Sequence, residues 1–459
     1  MLVQFLVENF LSFKEETVFS MRAPPGETRA VTDIPGHDGL RLMRVAAFYG
    51  ANASGKSNLV KALKTACNLV TRGASPNAQL PAQPFRLTSD SQLKPTRFQF
   101  DFLVDGSLYS YTLILTPERI AGEALYRTLP NTPDEELIYE REAPPDGGEH
   151  AVTLGPMVLS GDVEQQQFAR FVAKGAPIQQ PLLTEFAMRN VPQLAPIRDW
   201  FQQGLMVVGP SDPYARLVSE LFENSSLRAF YGHMLSAMGT GVNGVSVLKE
   251  QDPGLNQLVR DLDEPALLGR GKNRFLNIFR SGPALPGQDF HVEENGEGMS
   301  RLNLILEHST RSGSTVAFPL TEESDGTQRL LHLLPVLFHR TKGQCTVIDE
   351  LDRSLHTSLT RRFVEEFMAM ASGALSQLIF TTHDTNLLNG RLLPPGSIWF
   401  VEKDDDGASH LHSLAEYPAA QLEHLLEHLE EGYLQGRFGA IPFLAHRDNL
   451  GWQAEEPAT

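Results

Sequence analysis

The stretch "GANASGKS" occupies residues 50–57 and fits the pattern G-x-x-x-x-G-K-[S/T] at every position. It follows a short apolar run, residues 43–49, and precedes a segment of helical periodicity from Lys56 to about Val70. Glycines let the backbone curl so that successive N–H groups point into one hollow, and the start of the next helix adds positive potential. A strand, this loop and a helix in that order predict a phosphate-binding loop; the alternative is an ordinary glycine turn.

The residues of this loop have distinct expected roles. Lys56 is expected to reach the β- and γ-phosphates of a nucleotide, and Ser57 to offer its hydroxyl to Mg²⁺. The pattern therefore predicts ATP and Mg²⁺ as cofactors. The residues predicted to bind the nucleotide in this region are Gly50, Asn52, Ser54, Gly55, Lys56, Ser57 and Asn58.

A second motif is the apolar strand at residues 345–348, which is followed by two carboxylates. Asp349 is placed to hold the magnesium shell, and Glu350 is placed to polarise an attacking water. Many strands end in acidic residues, but downstream of a complete phosphate loop this ending predicts hydrolysis. After one more helix and strand comes His383, which can hydrogen-bond a γ-phosphate or the water; a structural histidine is the alternative.

A third motif, Glu323-Ser324-Asp325-Gly326, lies directly before a predicted helix. A serine and a glycine at a helix N-terminus make an anion site. The same residues also suit a plain helix cap, and the residues alone favour the cap.

The pattern of elements predicts an α/β protein with a mostly parallel core sheet. Strands are expected at 2–7, near 15–20, at 345–348, 378–381 and 398–401, a hairpin at 97–115, and helices at 330–339 and 357–370. The predicted organisation is an N-terminal lobe with the phosphate loop and an antiparallel hairpin subdomain (1–125), a largely helical insertion (126–310), a C-terminal lobe (311–412) and a tail (413–459).

Composition and charge limit the partners and the cellular compartment that we expect for this protein. The formal net charge is −17, so the global field does not favour nucleic acid. The densest local basic patch comprises Arg270, Lys272, Arg274 and Arg280, and the alternative interpretation, a solvated amphipathic segment, is favoured. Two cysteines among 459 residues indicate a reducing compartment. No apolar run approaches the roughly 20 residues of a membrane helix. We expect a cytoplasmic protein with no membrane partner.

The order of these motifs resembles the ABC-type P-loop NTPases of the SMC/RecF/OLD group. The opening, Asn9-Phe10 with Ser12-Phe13, is also similar to that group. The resemblance implies a homodimer or higher oligomer in which Ser324 and Gly326 of one copy close onto the ATP of the other. It assigns Asp349 to magnesium, Glu350 to catalysis and His383 to the switch position, places Asp352 at the dimer interface, and leaves Gln83 as a candidate lid glutamine.

Four stretches resemble bacterial AAA family ATPases of the abortive-infection type: residues 323–328, 382–388, 398–403 and 432–442. Those proteins are commonly the ATPase halves of anti-phage modules such as Septu-type, PARIS-type or RloB-associated systems. The resemblance implies an effector partner encoded nearby. Alternatives are a nucleotide-locked scaffold with little turnover, a DNA-associated repair-type ATPase, a fused nuclease, for which the chain after residue 413 is short, and a GTPase, for which Glu402 replaces the needed asparagine.

Overall fold

The computed structural model describes residues 1–75, 79–129, 134–143, 150–214, 216–251, 290–295, 298–339, 344–370, 375–418, 422, 425–426 and 428–441. These residues fall into two compact units. The phosphate-loop unit comprises residues 2–203 and 379–459, and the Asp-Glu unit comprises Met1 and residues 204–378.

The strands, in chain order, are β1 (Leu2–Glu8), β2 (Thr17–Ser20), β3 (Val31–Asp33), β4 (Arg41–Met43), β5 (Val45–Tyr49), β6 (Thr96–Val104), β7 (Ser107–Leu115), β8 (Ile120–Thr128), β9 (Glu135–Glu142), β10 (Ala151–Leu154), β11 (Leu205–Val208), β12 (Val242–Gln251), β13 (Phe290–Asn295), β14 (Gly298–Ser309), β15 (Thr315–Pro319), β16 (Cys345–Ile348), β17 (Gln377–Thr381), β18 (Ile398–Lys403) and β19 (Ser409–Ser413). The helices are α1 (Lys56–Arg72), α2 (Ser89–Leu93), α3 (Val163–Gly175), α4 (Leu182–Met188), α5 (Ala195–Asp199), α6 (Leu217–Glu223), α7 (Ser225–Ala237), α8 (Asp325–Phe338), α9 (Thr357–Met370) and α10 (Leu429–Leu434).

The phosphate-loop unit contains a seven-stranded sheet in the order β10-β9-β8-β7-β6-β1-β2. Its neighbouring strands run antiparallel. The predicted hairpin is confirmed as β6 and β7, and both of its turn residues, Asp105 and Gly106, have positive φ (48° and 76°). A two-residue hairpin turn of this kind needs residues that tolerate the left-handed region, which aspartate and glycine do.

A buried ion pair fastens this sheet to α4. The Glu123 carboxylate lies 3.0 Å from the Arg141 guanidinium, with side chains 0% and 1% exposed. Glu123 also accepts hydrogen bonds from the Tyr111 and Tyr139 hydroxyls and from the first two backbone N–H groups of α4. These donors satisfy a charge that would otherwise be costly to bury, so the start of α4 is fixed on the sheet face.

The phosphate loop emerges from a second group of strands in the same unit. β17, β5, β18 and β19 lie side by side in that order; β5 and β18 are parallel, and β18 and β19 are antiparallel. Every residue of β5 is buried, as expected for a strand covered on both faces. α1 follows the loop and buries Leu59, Val60 and Leu63 on one face, which agrees with the predicted helix.

The Asp-Glu unit contains a parallel pair and an antiparallel sheet. β11 pairs in parallel with β16. β12, β14 and β13 form an antiparallel sheet, and β15 pairs with residues 305–309 of β14, beyond the part of β14 that pairs with β13. Helix α7 packs against β12, and α8 contacts both α7 and α9. The predicted strand 345–348 is confirmed, and the predicted helix 330–339 is the later part of α8.

The predicted fold class is confirmed in part. The chain has a mixed α/β fold with one parallel pair described in each unit, β5 with β18 in the phosphate-loop unit and β11 with β16 in the Asp-Glu unit. The seven-stranded sheet is antiparallel throughout, so the parallel character is more limited than expected. The segment 126–310, expected to be largely helical, holds strands β9 to β14 beside helices α3 to α7. Strand β9, for example, has three adjacent apolar residues, Leu137 to Tyr139, with charged residues on both sides, so it shows neither strand alternation nor a long apolar run.

The predicted boundary after residue 125 lies inside β8. The basic patch at residues 270–280 lies outside the described residues. Within the described part of the chain, none of the helices has the length and apolar character needed to cross a membrane.

Candidate functional site

The phosphate loop is shaped by two glycines that have no room for a side chain. A Cβ at Gly50 would lie 2.3 Å from the Val401 carbonyl oxygen. A Cβ at Gly55, whose φ is 120°, would lie 2.2 Å from the Ser409 hydroxyl. Since β-carbons do not approach other atoms this closely, glycine is needed at both ends of the curl for steric reasons.

Lys56 lies inside the curl. It is 5% exposed, and its Nζ donates to the carbonyl oxygens of Gly50 (2.7 Å) and Ala51 (3.1 Å). The first turn of α1 carries no acidic residue, so the helix start keeps its positive potential. Asn52 is exposed in the loop, and Ser57 is half-buried on the first turn of α1. This donor set fits the triphosphate of ATP with its Mg²⁺.

Two serines support the phosphate loop, and sequence reasoning missed one of them, Ser409. Ser409, on β19, donates its hydroxyl to the Ser54 carbonyl (2.6 Å), and its oxygen lies 2.7 Å from the Ser12 hydroxyl oxygen. Asn58 donates its side-chain amide to the same Ser12 hydroxyl (2.8 Å). Asn58 therefore braces α1 against the N-terminal segment in this structure. Ser12 stood in the opening motif, whereas nothing in the sequence marked Ser409.

His383 follows a strand that neighbours the strand leading into the phosphate loop. The Thr382 amide donates to the Phe48 carbonyl at 3.1 Å, two residues before Gly50. His383 is exposed at this end of the two strands. The phosphate-loop unit therefore brings His383 to the same edge as the loop.

The Asp-Glu unit holds the two carboxylates at the end of β16. Asp349 is 4% exposed, and its amide donates to the Val208 carbonyl at 2.9 Å. Glu350 has a positive φ of 51°, and its side chain is 37% exposed. Its carboxylate lies 3.8 Å from the guanidinium of Arg353. The strand end thus presents one buried and one half-exposed carboxylate.

The same unit holds the predicted signature residues at the start of α8. Ser324 is the N-cap, and its hydroxyl accepts from the Thr327 amide at 3.2 Å. A Cβ at Gly326 would lie 2.9 Å from the Ser354 carbonyl, so glycine lets the helix start approach the loop after Glu350. Ser324 therefore caps the helix, and its role at an anion site stays a prediction. The helix start also opens onto a cleft of about 600 Å³ lined by Thr240, Ser324, Gly326, Ser354 and His356.

Arg329 joins α8 to the Asp-Glu strand end, and sequence reasoning missed it. It is 7% exposed, and its guanidinium donates to the carbonyls of Gly209, Asp349 and Glu350, each at 3.4 Å. Burial lowers the pKa of Arg329. The one signal in the sequence is the spacing: Arg329 lies three residues after Gly326, so both residues fall on the same face of α8.

One turn further along α8, His332 is half-buried and accepts a hydrogen bond from the Tyr214 amide through Nδ1 (3.2 Å). Burial, with the nearby Arg329 charge, lowers the pKa of His332 from 6.5 to about 4. The unfolded chain therefore binds a proton at His332 more readily than the folded chain does. The folded state is destabilised relative to the unfolded state as the pH falls from above 6.5 towards 4. We expect the titration of His332 to lower the unfolding free energy by about 2 kcal/mol when the pH falls from roughly 7 to 5.

The variant His332→Asn tests this, since the asparagine oxygen keeps an acceptor near the Nδ1 position and does not titrate. Urea unfolding followed by circular dichroism at both pH values should show a smaller loss of stability in the variant than in the wild type. An identical loss in both proteins would contradict the prediction.

Gln83 and the C-terminal stretch are the two remaining features singled out from the sequence. Gln83 is exposed, and its carbonyl accepts from the Leu11 amide at 2.7 Å, so its backbone is anchored beside the N-terminal motif. The described part of the C-terminal stretch, residues 432–441, packs in the phosphate-loop unit, where Phe438 stacks on Phe400 of β18 (ring centroids 5.1 Å apart). This stretch therefore packs on the core of that unit.

The sequence matches the family model AAA_21, described as "AAA domain, putative AbiEii toxin, Type IV TA system", over residues 45–200 and 250–389. These ranges cover more than half of the chain. No curated protein matches the chain.

Three solved structures illustrate the structural similarities. The SMC head domain from Thermotoga maritima matches with 14% identity and a TM-score of 0.33, covering 90% of this chain and 98% of that chain. An SMC head bound to the C-winged helix domain of ScpA matches with 12% identity and a TM-score of 0.35, covering 92% and 99%. An SMC head with an extended coiled coil, bound to the C-terminal domain of ScpA derived from Pyrococcus furiosus, matches with 14% identity and a TM-score of 0.36, covering 93% and 99%.

Proposed function

Because the chain belongs to the AAA_21 family of AAA domains, we propose that it binds Mg-ATP at residues 50–57 and hydrolyses it as a head-to-tail dimer. The observation that carries the proposal is the phosphate loop itself. Its two glycines have no space for a Cβ, and its lysine lies buried within the curl. An ordinary glycine turn needs neither feature.

We assign the roles within this proposal as follows. Lys56 and the backbone N–H groups of the loop would hold the phosphates, and Ser57 with Asp349 would hold Mg²⁺, which neutralises phosphate charge when bound. Glu350 would orient and deprotonate the attacking water. The exposed His383 would stabilise the γ-phosphate or that water through a hydrogen bond.

The dimer part of the proposal rests on the start of α8. Ser324 and Gly326 sit at the N-terminus of a 14-residue helix that opens onto a wide cleft. A helix start is suited to a phosphate group, and in a two-fold dimer each copy would offer this surface to the other. We propose that Ser324 and Gly326 of one copy complete the ATP site of the second copy.

A complementation experiment tests the dimer. Chains carrying Lys56→Ala lack a working phosphate loop, and chains carrying Ser324→Arg lack a working signature. We expect each variant alone to have lost nearly all ATPase activity. An equimolar mixture should regain about a quarter of wild-type turnover, because half of the dimers then hold one intact composite site.

The control variant is Ser312→Arg, which adds the same charge to an exposed turn of the same unit. It should hydrolyse ATP like the wild type. Mixing it with Lys56→Ala should give no more activity than the same amount of Ser312→Arg gives alone. A mixture of Lys56→Ala and Ser324→Arg with no more activity than its separate components would overturn the head-to-tail arrangement.

A second candidate is a nucleotide-locked scaffold that binds ATP, scarcely hydrolyses it and restrains an effector protein. The contact between Glu350 and the Arg353 guanidinium favours it, because this ion pair must open before the Glu350 carboxylate can reach an attacking water. In either case we propose a role in anti-phage defence with an effector encoded nearby. The family's description, which names a toxin–antitoxin system, is consistent with a two-component module.

A further inference from the structure

The C-terminal segment 429–441, which the proposed mechanism does not use, touches both loops that the phosphate-loop unit contributes to the nucleotide site. We call this segment the C-terminal brace. It consists of α10 and the tightly turned stretch that follows. Gly436, Gly439 and Ala440 all have positive φ (77°, 63° and 55°). This backbone folds the segment back onto the core.

Tyr433 carries the contact to the phosphate loop. It is 8% exposed, and its ring meets the edge of Tyr49, the residue directly before Gly50, with centroids 6.0 Å apart. Its hydroxyl donates to the Ala440 carbonyl at 3.2 Å. Burial raises the pKa of Tyr433. The ring thus packs on the residue directly before the phosphate loop, while the hydroxyl holds that ring to the end of the brace.

Glu430 carries the contact to the loop that follows His383. The Thr385 hydroxyl donates to the Glu430 carboxylate at 2.7 Å. Thr385 begins a short turn of 3₁₀ helix, Thr385–Leu387, whose N-cap is Asp384. Because Thr385 lies only two residues after His383, a bond that fixes Thr385 limits where the His383 side chain can lie.

The brace is itself held firmly. Phe438 is 1% exposed and stacks on Phe400 with the ring planes 7° apart. The Ala440 amide donates to the Glu402 carboxylate at 3.3 Å, and the Phe438 carbonyl lies 3.1 Å from His412 Nε2. A firmly packed element can position loops, whereas a mobile tail cannot.

We infer that the C-terminal brace positions both loops of the nucleotide site, with Tyr433 setting the start of the phosphate loop and Glu430 setting the loop that carries His383. Both are positioning residues, and the inference rests on the proposed ATPase function. The two contacts serve different steps. Tyr433 supports nucleotide binding, and Glu430 supports turnover.

The test separates affinity from turnover. In Tyr433→Phe the hydroxyl bond that holds the ring to Ala440 is lost, so the ring no longer fixes Tyr49 firmly. We expect ATP to bind about three- to tenfold more weakly with kcat within about twofold of wild type. In Glu430→Ala we expect kcat to fall about three- to tenfold, while ATP affinity stays within about twofold. Glu430→Gln keeps an acceptor for Thr385 and should recover most of the turnover.

Two matched controls lie in the same segment or against it. Tyr417 packs its edge on Phe438, so Tyr417→Phe removes a hydroxyl from the same aromatic cluster. Glu431 lies next to Glu430 and accepts from Gln435 of its own helix turn, so Glu431→Ala removes a neighbouring carboxylate. Both should leave ATP affinity and kcat within about twofold of wild type.

The outcomes are distinguishable. If wild type hydrolyses ATP and Tyr433→Phe and Glu430→Ala match their controls, the brace inference fails and the proposed function stands. If the two variants shift affinity and kcat in parallel, together with the unfolding temperature, the brace is a stabilising element only and the inference is also wrong. If the wild-type chain binds no ATP, the proposed function and the inference fall together.

Discussion

Glu350→Gln is expected to slow ATP turnover by about a hundred- to ten-thousandfold, the usual range for loss of a general base. The substitution is isosteric and removes only the negative charge, so ATP affinity should stay close to wild type. Since the ATP-bound dimer would no longer be reset by hydrolysis, it should accumulate. Turnover by phosphate release and mass with and without ATP measure the two effects.

Glu365→Gln is the matched control for this prediction. Glu365 lies in the same unit, its side chain is 38% exposed, and it is paired with Arg361 at 2.9 Å, much as Glu350 is paired with Arg353. Loss of an exposed ion pair of this kind changes stability by less than about 1 kcal/mol and should not change turnover.

Each outcome for Glu350→Gln has a clear meaning. A dead variant that forms an ATP-dependent dimer supports the proposed reaction. If the wild type binds ATP and turns it over no faster than Glu350→Gln, the nucleotide-locked scaffold becomes the better account.

Gly55→Ala is expected to weaken ATP binding by about a hundredfold or more. The added methyl would lie 2.2 Å from the Ser409 hydroxyl, and alanine rarely adopts a φ of 120°. Each source of strain costs on the order of 1–3 kcal/mol, and the loop can relieve it only by shifting the amides that would contact phosphate. Isothermal titration with ATP in the presence of Mg²⁺ measures the change.

Gly106→Ala provides the control for backbone strain alone. Gly106 has a φ of 76° in the hairpin turn of the same unit, and nothing lies within 4 Å of its missing Cβ. It should lower stability slightly and leave ATP affinity unchanged. The double variant Gly55→Ala/Ser409→Gly removes the steric part of the clash and should recover some affinity. Wild-type affinity in Gly55→Ala would show that the curl is not needed for binding.

Much of the site could be predicted from local sequence. The phosphate loop, the strand before Asp349 and the hairpin turn at Asp105 depend on residues that are neighbours along the chain. Their patterns determine backbone curl, burial and turn type before any tertiary contact forms. The alternation of strands and helices around them also predicted the α/β class.

The segments whose structure was predicted wrongly or left open have ambiguous local sequence patterns. The strands between residues 126 and 310 were expected to be largely helix, because short segments with mixed polarity satisfy both periodicities poorly. The Ser324 motif could be read as a cap or as an anion site, and Ser324 caps the helix in the structure. Its proposed second role depends on another copy of the chain, which a single sequence does not describe.

The sequence by itself determined where phosphate chemistry can occur, because a glycine curl, a lysine and a strand ending in carboxylates are local features. Only the tertiary structure decided what holds those features in place. Ser409 supports Ser54 from 355 residues away, and Glu430 bonds Thr385 from 45 residues away. Such contacts depend on which strands become neighbours, and side-chain hydrogen bonds of this range leave no periodicity in the sequence that could predict them.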